Sequence, residues 1–264
     1  AKRLFPESPR LNLIAADMYY QQELYALALG EYAEADRKAP GDQSTMIRIA
    51  HCYGKLSREA DAIAALDRLL ELFPEDLEAI DDLGWMYYKT YRLEEAERLL
   101  RQALERHGPD QGLLMTLGTV YAGLYDYASS KRFYEKAIAE ASRAGDDYFV
   151  SVAWYNLSLL EHNFYQFNSA LRATDESLRS ADRSSGHIAR GELHQSRLDF
   201  RQAEAEFQRA LALDKTQLAR VSLGRLYQIF GRLELARRYG EEVLAAKDLA
   251  WIYYYGTDLD RHYK

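Results

Sequence analysis

A small residue followed three places later by an aromatic recurs at a fixed interval: Ala16 with Tyr19, Ala50 with Tyr53, Gly84 with Tyr87 and Gly118 with Tyr121, each 34 residues after the last. A second small residue stands twelve places after each first one, at Ala28, Ala62, Ala96 and Ser130. The same offset links Ser158 to Ala170, Gly191 to Ala203 and Gly224 to Ala236. Four places further comes a position that is mostly large, read in order as Tyr32, Leu66, Leu100, Tyr134, Thr174, Phe207 and Gly240. Repeats of this length are single supersecondary units that cannot bury their apolar face alone. The chain is therefore expected to stack seven units side by side rather than fold around one centre.

The stretch from Leu77 to Pro109 shows the unit most completely. Leu83, Gly84 and Tyr87 share one face of a first helix; Ala96, Leu100 and Ala103 recur at helical spacing in a second, which Gly108 and Pro109 stop. Gly84 and Ala96 allow the two backbones to approach, while Tyr87 and Leu100 fill the space on either side. Pro40, Pro74 and Pro109 close the first three units. This order of residues resembles the tetratricopeptide repeat family, and the likeness covers nearly all of the chain. It implies an all-α fold, a right-handed superhelix (solenoid) of antiparallel helix pairs. The units are expected near 9–42, 43–76, 77–110, 111–150, 151–183, 184–216 and 217–250, after a lead-in over 1–8 and before a C-terminal segment, 251–264.

Departures from the period carry their own expectations. Gly118 and Ser158 are 40 apart, and the excess falls in KAIAEASRAGDDYFVSVAWYNL, so the second helix of the fourth unit should gain a turn or more before a Gly145-Asp146 break, with a change of curvature there. The fifth unit carries Glu161 at the tyrosine position and Ser177 at the last alanine position. The sixth opens in a polar run where only Ile188 and Leu193 are large and aliphatic, which predicts the least anchored, loosest helix of the series. Asp199 with Gln202 has the outline of a capping box. Leu249 to Tyr255 is aromatic but too early to begin an eighth unit, and reads as a cap or as a partner surface, a second copy of the chain included.

Composition removes several function classes. A net charge of −7 and an acidic pI near 5.5 oppose nucleic acid and anionic membrane surfaces, which need a dominant basic field. No stretch approaches a membrane span, so a soluble chain is expected. It starts at Ala1 without methionine, which fits the cytoplasm or, after removal of a signal, export to the periplasm or beyond. No metal or cofactor is expected. His187 and His194 lie seven apart without further ligands, His51 and Cys52 point about 100° apart on a helix, and no phosphate loop, HExxH or CxxC is present. The histidines read as surface or groove residues, and the acid pairs Asp81-Asp82 and Asp146-Asp147 as solvated or capping groups. Of the 21 tyrosines, Tyr19, Tyr32, Tyr53, Tyr87, Tyr121, Tyr134 and Tyr227 fall on packing positions, which assigns these to the core rather than to chemistry.

What remains is the wall that the first helices present. In the family, residues one, four and five places after the glycine-type position tend to face the concave groove. The resemblance thus points to Asp17 and Tyr20 in the first unit and to His51 and Lys55 in the second. In the third it points to Trp85, Tyr88 and Lys89, joined by Asp81 and Asp82. It continues through Met115 and Thr119, then Tyr155, Asn156, Leu159 and His162, then Glu192 and Gln195, then Arg225 and Gln228. The residue after the glycine-type position is never Asn, which argues against the family's carboxylate clamp for peptide termini. Small residues of the fourth unit (Gly112, Thr116, Thr119, Ala122, Gly123) leave room for a ligand's side chains, and the aromatic weight lies at Trp85. The sequence thus predicts a non-enzymatic scaffold for a protein or peptide partner. The alternatives are a peptide-sensing or self-associating regulator, and the accessory portion of a larger enzyme or secretion machine.

Overall fold

The computed structural model describes residues 8–214 and 217–245, and among these are fourteen helices and no strand. The helices come in pairs. The first unit of the chain holds α1 (Pro9–Gln21) with α2 (Tyr25–Lys38), α3 (Gln43–Lys55) with α4 (Glu59–Leu72), α5 (Leu77–Lys89) with α6 (Leu93–His107), and α7 (Gln111–Gly123) with most of α8 (Tyr127–Ala144). The second holds α9 (Asp147–Asn163) with α10 (Phe167–Ser180), α11 (Ser184–Ser196) with α12 (Phe200–Leu213), and α13 (Gln217–Ile229) with α14 (Leu233–Ala245). The two compact units meet within α8, at residues 140 and 141. The tail offered by the sequence as cap or partner segment, and with it the self-association reading, lies outside the described residues.

Within the first unit the helices from α1 to α8, and within the second those from α9 to α14, pack on their neighbours in the chain, and α5 also rests directly on α7, as α11 does on α9 and α13. This is the all-α solenoid arrangement, and the repeated small positions make it possible. Ala28, Ala62, Ala96, Ser130, Ala170 and Ala203 are all 0% exposed, and the large positions Tyr32, Leu66, Leu100 and Phe207 close over them. Within the first unit, Met46, Ile47, Ala50, Leu66, Leu69, Leu83 and Met86 form one continuous apolar cluster. Burying a side chain of this size stabilises by about 1.5–3 kcal/mol.

Local signals set the helix ends. Asp42, Asp76, Asp110 and Asp146 accept hydrogen bonds from the backbone N–H of Thr45, Ala79, Leu113 and Phe149, so one capping device starts α3, α5, α7 and α9. Asp199 does the same for α12 through the N–H of Gln202. Between paired helices the chain turns through a residue with φ near +60°, a region that favours glycine. Glu23, Ser57, Tyr91, Tyr125, Tyr165 and Leu198 occupy it in six turns and Gly231 in the seventh.

The expected lengthening of the fourth unit's second helix is present, and the expectations for the polar run and for His187 are corrected. The long repeat lengthens both of its flanking helices: α8 has 18 residues and α9 has 17, against 13–15 elsewhere. The polar run of the sixth unit is well anchored, because α11 buries Gly186, His187, Ile188, Ala189, Gly191 and Leu193. Its glycines let the Leu178 and Phe207 side chains close onto the helix backbone. His187 is 2% exposed rather than a surface or groove residue. Its Nδ1 lies 2.6 Å from Glu206 and its Nε2 2.7 Å from Asp182. Specific polar contacts and close approach replace the bulk that the sequence lacks.

Candidate functional site

In the first unit the wall that the family likeness implied draws on α1, α3 and α5. These helices enclose a groove of about 560 Å³ lined by Tyr20, His51, Gly54, Lys55, Asp82, Trp85 and Lys89, over a floor that includes Ala50, Leu66 and Met86. Six of the lining residues are those placed four, one, four, five, one and five residues after the glycine-type position, so the helical register carries them to one face. The His51 Nε2 and an Asp82 carboxylate oxygen are 2.6 Å apart and join α3 to α5. Lys89 donates to Glu59 at 2.9 Å, and the Arg48 guanidinium lies over the Tyr20 ring at 5.5 Å. Burial pushes the Tyr20 phenol above its ordinary value. At the outer end of the wall Asp17 is exposed and accepts a hydrogen bond from the Tyr32 hydroxyl at 2.5 Å. Cys52, next to His51, is fully buried against Ala16, Ala28 and Tyr32, and its thiol is pushed up to about 11 by that burial.

Trp85 is 41% exposed and stacks on Tyr88 with ring centroids 5.2 Å apart and an interplanar angle of 28°. A large aromatic ring held against a second ring but open to solvent is a preorganised contact surface, since little rotamer freedom is left to lose. Tyr88 in turn leans over Gly123, whose missing Cβ would stand 3.1 Å from the ring. The fourth unit therefore offers less room than its small residues suggested, because α5 fills it. Thr119 bonds the Tyr134 hydroxyl at 3.0 Å and the Met115 carbonyl at 3.2 Å, and Met115 is half-buried.

Asp81 is the second filler, and it is not the solvated acid that the sequence suggested. Its Oδ1 is buried and has no hydrogen-bond partner. Burial is the first cause that pushes its carboxyl up to about 7; the negative charges of Asp82 and Asp110 add to it, and a hydrogen bond from Thr116 opposes it.

In the second unit, Tyr155, Asn156 and Leu159 lie half-buried along α9, and His162 meets the Ser196 hydroxyl at 2.9 Å. Burial lowers the His162 ring below its usual range. Glu192 of α11 sits within electrostatic reach of Tyr155 and of the exposed Arg225 of α13; burial raises its carboxyl and Arg225 opposes the rise. Gln195 and Gln228 are half-buried on the same two helices. Of the predicted wall residues, Tyr20, His51, Lys55, Asp82, Trp85 and Lys89 share one groove, and Asp17, Asp81, Met115 and Thr119 are not among its lining. Capping by Asp146 and Asp199 was expected, whereas that by Asp42, Asp76 and Asp110 was not, although the recurring Gly or Pro one or two places before Asp42, Asp76, Asp110 and Asp146 is a legible signal for it.

Among the described residues no group of three or more His, Cys, Asp or Glu is placed to hold a metal ion, and no helix is long and apolar enough to cross a membrane.

Comparison with known proteins agrees with this architecture. Three profiles of the tetratricopeptide repeat match the chain, over residues 77–108, over 1–43 and 188–250, and over 44–76. No curated protein matches the sequence. Among solved structures, a chain of the APC/C hetero-tetramer Cut9-Hcn1 is similar with a TM-score of 0.68 at 18% identity, over 85% of this chain. This chain covers 44% of that one. A tetratricopeptide repeat protein from Parabacteroides merdae has a TM-score of 0.65 at 13% identity, covering 90% of this chain and 92% of its own. PilW, a type IV pilus biogenesis factor, has a TM-score of 0.62 at 16% identity, covering 77% and 92%. Identities this low establish the fold alone. The profile matches, the fourteen paired helices and the small residues at their crossings place the chain in the tetratricopeptide repeat family.

Proposed function

We propose that this chain is a non-enzymatic scaffold that holds a protein or peptide partner in the groove of its first unit. The observation that carries the reading is the Trp85–Tyr88 pair, stacked and yet open to solvent beside a groove that already contains fixed charges at Asp82 and Lys89. Aromatic anchors on rigid helices give large contact area at small entropic cost, and flanking charges set orientation. Tyr155, Asn156, Leu159, His162, Glu192, Gln195, Arg225 and Gln228 make the corresponding wall of the second unit, and we assign them a secondary role because no exposed tryptophan stands among them.

Peptides selected from a random displayed library on the intact protein test this reading. They should lose about 2 kcal/mol or more of binding on Trp85→Ala and on Tyr88→Ala, as hot-spot residues do. Peptides indifferent to both substitutions would move the site away from this groove.

A further inference from the structure

A pocket of about 420 Å³ in the second unit shares no lining residue with the wall of Tyr155, Leu159, His162 and Glu192. It lies where the turn from α11 to α12 meets the turn from α13 to α14, with Leu198, Phe200 and Phe230 as its apolar part. We propose that this turn edge is a second docking site, which takes a short acidic segment of a partner in which a phenylalanine or leucine stands beside an aspartate or glutamate. Three observations lead there, and none of them draws on the groove of the first unit.

The first is apolar surface left in water beside a cavity. Phe200 and Phe230 meet edge to face, with ring centroids 4.7 Å apart at 87°, and Phe230 is still 44% exposed. Leu198, in the lining of the same pocket, is 73% exposed. A ring fixed by a second ring, next to space for another, suits an inserted apolar side chain. The second is that the turn itself does not call for a leucine. The φ of Leu198, +62°, lies in the left-handed region, which costs a branched side chain energy. Gly231 fills the equivalent place in the next pair, and Glu23 and Ser57 fill it in the first unit with polar side chains. An exposed leucine recovers none of that cost by burial in the isolated chain.

The third is the balance of charge. Both acids of the lining are occupied within the fold: Asp199 accepts the Gln202 N–H at 3.4 Å, and Glu204 accepts the Tyr227 hydroxyl at 2.6 Å. The two arginines are held more loosely. Arg201 is exposed and pairs with no acid among the described residues, and Arg232, its side chain 59% exposed, approaches Glu204 only to 4.0 Å. The charge left to a ligand is therefore positive, in a chain whose net charge is −7. Guanidinium groups match a carboxylate with two parallel hydrogen bonds. A nucleic-acid strand, charged at every phosphate, would be repelled by Asp199, Glu204 and the acidic chain around them, whereas a single carboxylate needs no extended basic field.

The probe is acetyl-Glu-Phe-Leu-Glu-amide, titrated into the whole chain. Acetyl-Gln-Phe-Leu-Gln-amide and acetyl-Glu-Ala-Ala-Glu-amide are the controls that remove the charge and the apolar side chains in turn. Saturable one-to-one binding of the first peptide is expected, with each control weaker by about tenfold or more. Leu198→Gly and Arg201→Gln alter exposed positions, and glycine suits the φ of the turn, so both variants should stay folded. Each should weaken the first peptide by about tenfold. No binding to the unaltered chain, equal binding to the two variants, or undiminished binding of the glutamine peptide overturns the inference. So does tighter binding of an oligothymidine strand that competes with the peptide, which would make the edge a nucleic-acid site. Self-association of the chain that Leu198→Gly abolishes would put a second copy in the pocket and overturn it as well.

Discussion

The ring of Tyr134 lies 2.8 Å from the point where a Cβ on Gly118 would stand, so the Tyr134 side chain of α8 packs directly on the α7 backbone. The Ser130 hydroxyl donates to the Gly118 carbonyl at 2.7 Å one turn away, which pins the same crossing. Gly118→Ala should therefore destabilise the protein by about 1–3 kcal/mol, although alanine is the better helix former by about 1 kcal/mol. Ala96→Leu, at the equivalent crossing of α5 and α6, should cost a similar amount, about 1–3 kcal/mol. Denaturant midpoints decide, and unchanged midpoints would mean that these crossings are not the closest contacts.

Asp81→Asn should stabilise the protein at alkaline pH. The carboxyl titrates near 7 in the folded chain against 3.8 as its ordinary value, so the folded state holds a proton that the unfolded state has released across that window. The stability this proton confers is present below the unfolded value and is lost as pH rises through about 7. Urea melts of the unaltered protein should weaken from pH 5 to pH 8. The variant should lack that component and exceed the unaltered protein at pH 8 by about 1–2 kcal/mol.

Trp85→Ala should leave folding nearly intact, with a change within about 1 kcal/mol, since a large part of the ring is already in water. A packing tryptophan would cost about 3–5 kcal/mol instead. Iodide quenching of a variant that retains only Trp85 among the three tryptophans gives the same answer optically. The free protein should be quenched readily, and full protection would retire Trp85 as the anchor.

His187→Ala should be among the most damaging single substitutions in the second unit. It removes the ring that Glu206 and Asp182 approach at 2.6 and 2.7 Å and leaves a buried gap at the start of α11. A loss of about 2–4 kcal/mol follows from the lost polar contacts and the cavity together. Backbone amides of α11 and α12 should exchange faster in the variant, and unchanged protection there would show that the imidazole is dispensable.

The architecture was legible because it is written redundantly. Ala28, Ala62 and Ala96 each announce the same helix crossing, so an irregular unit does not obscure the rest. Tyr20, His51, Lys55, Trp85 and Lys89, which the family likeness pointed to, line a single groove. What the sequence hid depends on what one helix meets on another. Asp81 looks like a surface acid until α7 is laid beside it with Gly112 and Thr116 facing it. The polar run around His187 looks loose until Glu206, nineteen residues on, closes over the imidazole. Helical periodicity tells which residues share a face, but not what the next helix brings to it.

The lone thiol of Cys52 gives the first unit a built-in clock. It is sealed beneath Tyr32 with no exposed surface, so an alkylating reagent reaches it only while α1 and α2 are lifted from α3. Labelling rate then counts openings at one end of the stack, and its slowing on addition of a ligand would report that the ligand clasps those helices together, whatever the ligand proves to be.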